Sequence, residues 1–150
     1  MYDVIKKTVA PLLSLFIFAL CSGYFLTLLA LAMNAHDEPP LLIGTMTGVF
    51  YAGLVCGAFR IEPFIIRVGH IRAFSAFASA LAVMSLLHGM FYNMPLWLIL
   101  RFFTGFGTTA IFVVVESWLL ANSTNATPRR IVSLYMIVFY ASEALGQLLI

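Results

Sequence analysis

The sequence carries little charge. Only 9% of its 150 residues are Asp, Glu, Lys or Arg, whereas 63% are hydrophobic, and the formal net charge is +2. An ordinary soluble domain is about 25% charged and about 45–50% apolar, and a globule of this size has too much surface to hide such an excess. The composition favours a lipid bilayer as solvent, and the absence of an extended basic tract argues against nucleic acid as a partner.

Cysteine and metal-ligand patterns are also scarce. Cys21 and Cys56 both lie within apolar runs, which predicts two small buried hydrophobic residues and no disulfide framework. The sequence contains no CxxC motif and no His/Cys cluster, so no metal site and no cofactor are expected. His36, His70 and His88 have no Ser or Asp partner at helical spacing, so an enzyme is not expected either.

Long apolar runs are abundant. A transmembrane helix needs about 20 mostly apolar residues, and the five candidates are Val9–Met33, Leu41–Ile66, Ala73–Met90, Pro95–Ala121 and Ile131–Ile150. The connections are short, so consecutive helices are expected to be antiparallel neighbours. The first run is longer than the core of a signal peptide, about 7–15 residues, and is interpreted as a retained helix. The predicted fold class is all-α, a polytopic membrane helix bundle.

The basic residues predict an orientation. Seven of the eight Lys and Arg residues fall on one side of the five spans, and only Arg101 does not. That side is predicted to be cytoplasmic, with the N-terminus inside. Trp97 and Trp118 are 21 residues apart, roughly 31 Å along a helix. This spacing places them in the two interfacial belts, with ordinary packing tryptophans as the alternative.

Two ionisable residues lie at membrane depth. Arg101 follows Trp97 by four residues, and Glu143 lies 12 residues into the last span. Ionisable residues in membranes usually face the bundle interior, so the two are predicted to pair or to share a cavity. The alternatives are that Arg101 snorkels to the interface and that Glu143 faces helices outside this chain. Glu116, near the cytoplasmic end, is expected to bridge to loop arginines, with a solvated helix end as the alternative.

Small residues mark the predicted helix contacts. Close backbone packing in lipid depends on glycine and similarly small residues, and several glycines have GxxxG or tighter spacing. The predicted packing residues are Gly44, Gly48, Gly53, Gly57, Gly105 and Gly107.

The segments "RFFTGFG" and "RVGHIR" resemble motifs of the major facilitator superfamily of secondary transporters. "RFFTGFG" resembles the fourth-helix motif of that family, in which an arginine precedes Gly-x-Gly, and Arg101, Gly105 and Gly107 match it. "GYFLTLLAL" and "RVGHIRAF" are similar to a bacterial subgroup of permeases. The resemblance covers nearly all of the chain.

The segment "RVGHIR" resembles the basic loop between the second and third helices of the family. Its matching residues are Arg67, Gly69 and Arg72. The family's aspartate before the first arginine is replaced by Ile66. The resemblance therefore implies a cytoplasmic latch only if another acid contributes, and the candidates are Glu62 and Glu116.

The resemblance implies more than the residues alone do. Family members have two six-helix halves, so residues 1–150 would be an incomplete N-terminal transmembrane domain. The implied function is alternating-access transport of a small solute across a bacterial inner membrane, coupled to ions or protons, with Arg101, Glu143, Tyr24 and Thr27 as pathway candidates. The implied partners are the solute, the lipid bilayer and the remaining helices of the transporter. The alternative is a small membrane scaffold that acts through helix–helix association without transport.

Overall fold

All regular structure in the described residues is α-helical. The computed structural model describes residues 2–121 and 128–150, with side chains described for 9–121 and 131–150. Its helices are α1 (Tyr2–Ala35), α2 (Pro40–Arg60), α3 (Glu62–Val68), α4 (His70–Met90), α5 (Met94–Ala121) and α6 (Pro128–Leu148). Five of them, all but α3, are long and apolar enough to cross a membrane. The predicted polytopic helix bundle is confirmed.

The chain divides into two compact units. Unit 1 consists of Met1–His36 and Val115–Ile150, and unit 2 of Asp37–Val114. Unit 1 therefore contains α1, α6 and the end of α5, whereas unit 2 contains α2, α3, α4 and most of α5. The side chains of Arg129 and Arg130, which contribute to the predicted orientation, lie outside the described set.

The second predicted span is shorter than expected. The sequence predicted one helix over Leu41–Ile66, but α2 ends at Arg60 and a separate short helix, α3, follows. The Ile61 N–H still bonds to the helix at a distance of 3.1 Å from the Gly57 oxygen. Two residues later Pro63 has no N–H to continue the ladder, and proline also disfavours helical backbone at the residue before it. The transmembrane part of this segment therefore stops at Arg60.

Within unit 2, α2 and α5 touch through their backbones. A Cβ atom added to Gly105 would overlap the Phe50 carbonyl oxygen and lie 3.0 Å from the Leu54 nitrogen. A Cβ added to Gly53 would overlap the Phe102 carbonyl oxygen in the same way. Phe50 of α2 lies beside Arg101 of α5, and Gly57 lies beside Thr109, so the two helices run parallel. This is the packing role predicted for Gly53 and Gly105.

The other predicted packing glycines differ among themselves. A Cβ on Gly57 would lie 2.9 Å from the Thr109 Cβ, and one on Gly107 would lie 3.0 Å from Leu81 of α4. Gly44 and Gly48 are exposed, and no described atom would lie within 4 Å of a Cβ added to either. The predicted contact is not seen at these two positions, because the close approach of α2 to α5 begins only at Phe50.

The segment between α2 and α4 is anchored by a small core. Ile61 and Ile65 of this segment are buried against Ala73, Ala110 and Val114. Ile61 and Ile65 are four residues apart and so share one helical face. α3 then ends at Gly69, whose φ of 88° and ψ of 155° lie in a region that is essentially open to glycine only.

Unit 1 contains a second backbone contact, between α1 and α6. A Cβ added to Gly23 would overlap the Glu143 carbonyl oxygen, and one added to Gly146 would overlap the Leu20 carbonyl oxygen and lie 2.9 Å from the Tyr24 nitrogen. Glycine therefore sets the distance between these two helices as well.

The prediction of two buried cysteines is wrong. Cys21 and Cys56 are both free thiols on the exposed surface of their helices. Lipid tails are as apolar as a hydrophobic side chain, so a small apolar residue in a membrane span does not need protein around it. Burial rules drawn from soluble proteins therefore do not hold for these two positions.

Candidate functional site

One face of α5 is buried and polar. Trp97, Arg101, Thr104 and Thr108 follow one another at spacings of four, three and four residues, and each is at most 8% exposed. These spacings place the four side chains on one side of a helix. In an apolar 18-residue window of α5, 61% of the residues are buried, against 17–22% in the corresponding windows of the other four spans. α5 is therefore the most enclosed of the spanning helices, and its enclosed face carries the arginine.

The Arg101 cluster consists of Phe50, His88, Tyr92, Trp97 and Arg101, all of which belong to unit 2. The Arg101 guanidinium carbon lies 4.8 Å from the centroid of the Phe50 ring, a distance that gives a favourable cation–π interaction. Arg101 is only 3% exposed. The expectation that this guanidinium faces other helices agrees with its surroundings, and the snorkelling alternative does not.

His88 is a second ionisable side chain that is buried in the Arg101 cluster. Its Nδ1 donates to the Met84 carbonyl oxygen at 2.7 Å, and its ring centroid lies 5.5 Å from that of Trp97. Because a carbonyl oxygen only accepts, Nδ1 carries the proton, and Nε2 of the neutral ring is then an acceptor. The Thr104 hydroxyl donates to the Leu100 carbonyl oxygen at 2.7 Å and lies 3.8 Å from the Met84 sulfur. These contacts fix α4 against α5 in an antiparallel arrangement, as expected for consecutive helices.

The outer end of the cluster reaches the turns between helices. The Trp97 indole N–H donates to the Phe91 carbonyl oxygen at 2.6 Å, and the Tyr92 ring packs edge-on against Trp97 at 5.1 Å between centroids. The Tyr92 hydroxyl donates to a Glu38 carboxylate oxygen at 2.7 Å. Burial, together with this hydrogen bond and the negative charge of Glu38, raises the pKa of Tyr92 to about 12. Trp97 is therefore a packing residue, and its position in an interfacial belt stays a prediction.

The chemistry available to the cluster is that of a buried cation. A guanidinium has five N–H donors and no acceptor, and its planar fork suits a carboxylate or a phosphate. No group of three or more His, Cys, Asp and Glu side chains that could hold a metal occurs among residues 9–121 and 131–150. The cluster is therefore suited to anion recognition or to organising a proton pathway.

The other predicted pathway residues lie in unit 1. Glu143 of α6 is partly buried, and its backbone carbonyl meets Gly23 of α1. Tyr24 is 40% exposed, and the Thr27 hydroxyl donates to the Gly23 carbonyl oxygen at 3.2 Å. Thr27 thus bonds its own helix, an ordinary arrangement for threonine in a span. The pairing of Glu143 with Arg101 stays a prediction, because Arg101 belongs to the other unit.

The predicted loop motif has its glycine where only glycine fits. Gly69 separates α3 from α4, and Arg67 and Arg72 are exposed on either side of it. Glu62 is exposed in the first turn of α3. Glu116 is exposed in the part of α5 that belongs to unit 1. The latch role of these residues stays a prediction.

The sequence missed three members of the Arg101 cluster. His88 was not predicted to be a site residue, because it has no Ser or Asp partner at helical spacing. Phe50 and Tyr92 were not predicted to be site residues either. The four-residue spacing of Met84 and His88 could have indicated a side chain bonded to its own helix. Phe50 had no local signal, because its contact depends on the register of α2 against α5.

Comparison with known proteins finds relatives that are named as transporters. It is 30% identical over 139 residues to an uncharacterized MFS-type transporter of Enterobacter sp. strain 638, covering 87% of this chain and 36% of that protein. It is 30% identical over 140 residues to the MFS-type transporter YcaD of Escherichia fergusonii, covering 87% and 37%. It is 27% identical over 150 residues to YcaD of Salmonella paratyphi A, covering 100% and 39%.

The five spans and these similarities support a multi-pass membrane protein. Most or all of the chain is similar to the N-terminal portion of proteins named as MFS-type transporters, and the resemblance noted in its motifs is confirmed. It spans between 36% and 39% of the length of these three relatives. No family model matches the chain, and no solved structure matches it.

Proposed function

We propose that the chain is the N-terminal part of a secondary active transporter that moves a small solute across a bacterial inner membrane by alternating access. The observation that carries the proposal is the buried Arg101 on the most enclosed span of a chain whose relatives are named as transporters. The excess of Lys and Arg on one side supports a cytoplasmic N-terminus.

We assign to Arg101 the binding of the solute or of its coupling ion. A charge within a membrane span costs free energy, and such residues usually mark a pathway for substrates, ions or protons. The Phe50 ring beside the guanidinium stabilises the cation. A solute with a carboxylate or phosphate group fits that charge.

The direct test is transport by the full-length protein in membrane vesicles of both orientations, with a panel of anionic and neutral solutes. Removing one partner of a buried, hydrogen-bonded charge pair costs about 2–5 kcal/mol. Arg101→Ala should therefore lower uptake of an anionic solute at least about 30-fold. Arg101→Lys should retain part of the activity, because it keeps the positive charge but loses the planar fork. Undiminished transport by Arg101→Ala would remove this residue from the mechanism.

Coupling to protons is tested separately, through Glu143. A carboxylate at membrane depth can take up and release a proton as its surroundings change, whereas glutamine cannot. Glu143→Gln should abolish uptake driven by a pH gradient but leave solute exchange at equal pH. If the wild-type protein moves no solute while its helices still associate in the membrane, the scaffold function is favoured instead.

A further inference from the structure

A groove of about 460 Å³ lies between α2 and α5 in unit 2. Its lining consists of Cys56, Phe59 and Arg60 of α2 and Phe102, Phe103 and Phe106 of α5. Residues three or four apart share a helical face, so each helix presents one continuous strip to the groove. Four of the six lining side chains are phenyl rings, and Arg60 carries the only charge among them.

The charge stands at one end of the groove. Arg60 is in the last turn of α2, where the apolar span ends, and its side chain is exposed. The groove therefore combines an apolar lining with a single positive charge at the end of α2.

We propose that this groove binds an anionic phospholipid, with an acyl chain along the phenylalanines and the phosphate on Arg60. An arginine fork matches phosphate oxygens through two parallel hydrogen bonds. Basic pockets between transmembrane helices at a membrane surface bind anionic headgroups. A lipid supplies the apolar chain and the negative charge together, whereas an apolar helix in the groove would cover the rings and leave the arginine without an anion.

The first test is native mass spectrometry of the full-length protein with phosphatidylglycerol or phosphatidylcholine. One basic residue near the surface contributes about 1 kcal/mol to anionic lipid binding. The wild type should therefore prefer phosphatidylglycerol about fivefold. Arg60→Gln should abolish this preference, and the matched control Arg72→Gln should retain it. Equal preference in Arg60→Gln and the wild type overturns the proposal.

The second test uses the two native thiols. Cys56 lines the groove, while Cys21 is an exposed thiol in the other unit and serves as an internal control. Phosphatidylglycerol should slow alkylation of Cys56 by N-ethylmaleimide, measured by peptide mass spectrometry, and should leave Cys21 unchanged. Inorganic phosphate should give no protection, because it has no acyl chain.

Three results of the alkylation test overturn the proposal. Equal protection by inorganic phosphate shows an anion site without a lipid chain. Equal protection by phosphatidylcholine shows an ordinary lipid contact without headgroup selection. A Cys56 that stays unreactive in lipid-free detergent, while Cys21 reacts, shows that further helices cover the groove. Phe103→Ala should lower the binding of both lipids, and a circular dichroism spectrum unchanged from the wild type checks that this variant is folded.

Discussion

Replacing Gly105 with alanine should force α2 and α5 apart. The added methyl group would overlap the Phe50 carbonyl oxygen and lie 3.0 Å from both the Phe50 carbonyl carbon and the Leu54 nitrogen. Favourable contacts between carbon atoms lie at about 3.5–4.0 Å, so the helices must separate by roughly 0.5–1 Å. Overpacking of this kind costs about 1–3 kcal/mol, and a gap of that width also weakens the neighbouring dispersion contacts.

Gly44 of α2 provides the matched control. A Cβ added there would have no described atom within 4 Å, so Gly44→Ala should be neutral or stabilise the helix by up to about 1 kcal/mol. Thermal unfolding of the detergent-solubilised protein, followed by circular dichroism, should show Gly105→Ala lower by roughly 2–12 °C at about 2–4 °C per kcal/mol. Equal midpoints for the two variants would refute the claim that glycine sets the α2–α5 distance.

Three further predictions concern the turn after α3, the outer end of the Arg101 cluster and its cation–π contact. Gly69→Ala should lower the free energy of unfolding by about 1–3 kcal/mol in the same assay, because its backbone region is essentially closed to other residues; an unchanged midpoint would contradict this. Because the pKa of Tyr92 is raised, the contribution of this tyrosine to stability is present below pH 10.0 and is lost as the pH rises through about 12. Glu38→Gln should lower the pKa of Tyr92, measured from phenolate absorbance. A pKa equal to that of the wild type would exclude Glu38 as a cause of the shift. A double-mutant cycle of Phe50→Leu and Arg101→Met should give a coupling of about 0.5–2 kcal/mol, and additive effects would show that the ring does not support the charge.

The five spans could be predicted because their signal is local. A run of about 20 apolar residues identifies a span whatever the rest of the chain does. The end of α2 was misplaced because hydropathy alone does not register Pro63, which interrupts the backbone hydrogen bonds within an apolar stretch. The exposure of Cys21 and Cys56 was missed for a different reason, since hydropathy does not distinguish lipid from protein as the apolar neighbour.

The candidate site was predictable only in part. The rarity of charge in a span was enough to single out Arg101 and to predict that its side chain is enclosed. Its contact with Phe50 was beyond the sequence, because the parallel register of α2 and α5 had first to be known. Gly53 and Gly105 were identified as packing residues, but glycine spacing does not say which helix is the partner.

The contact between α2 and α5 has a mechanical consequence. Where peptide groups of two helices meet at Gly53 and Gly105, there are no rotamers that could flip to accommodate sliding or tilting. We therefore expect the two helices to move together as one rigid pair. Relative movement between helices is easier at contacts lined by longer, deformable side chains.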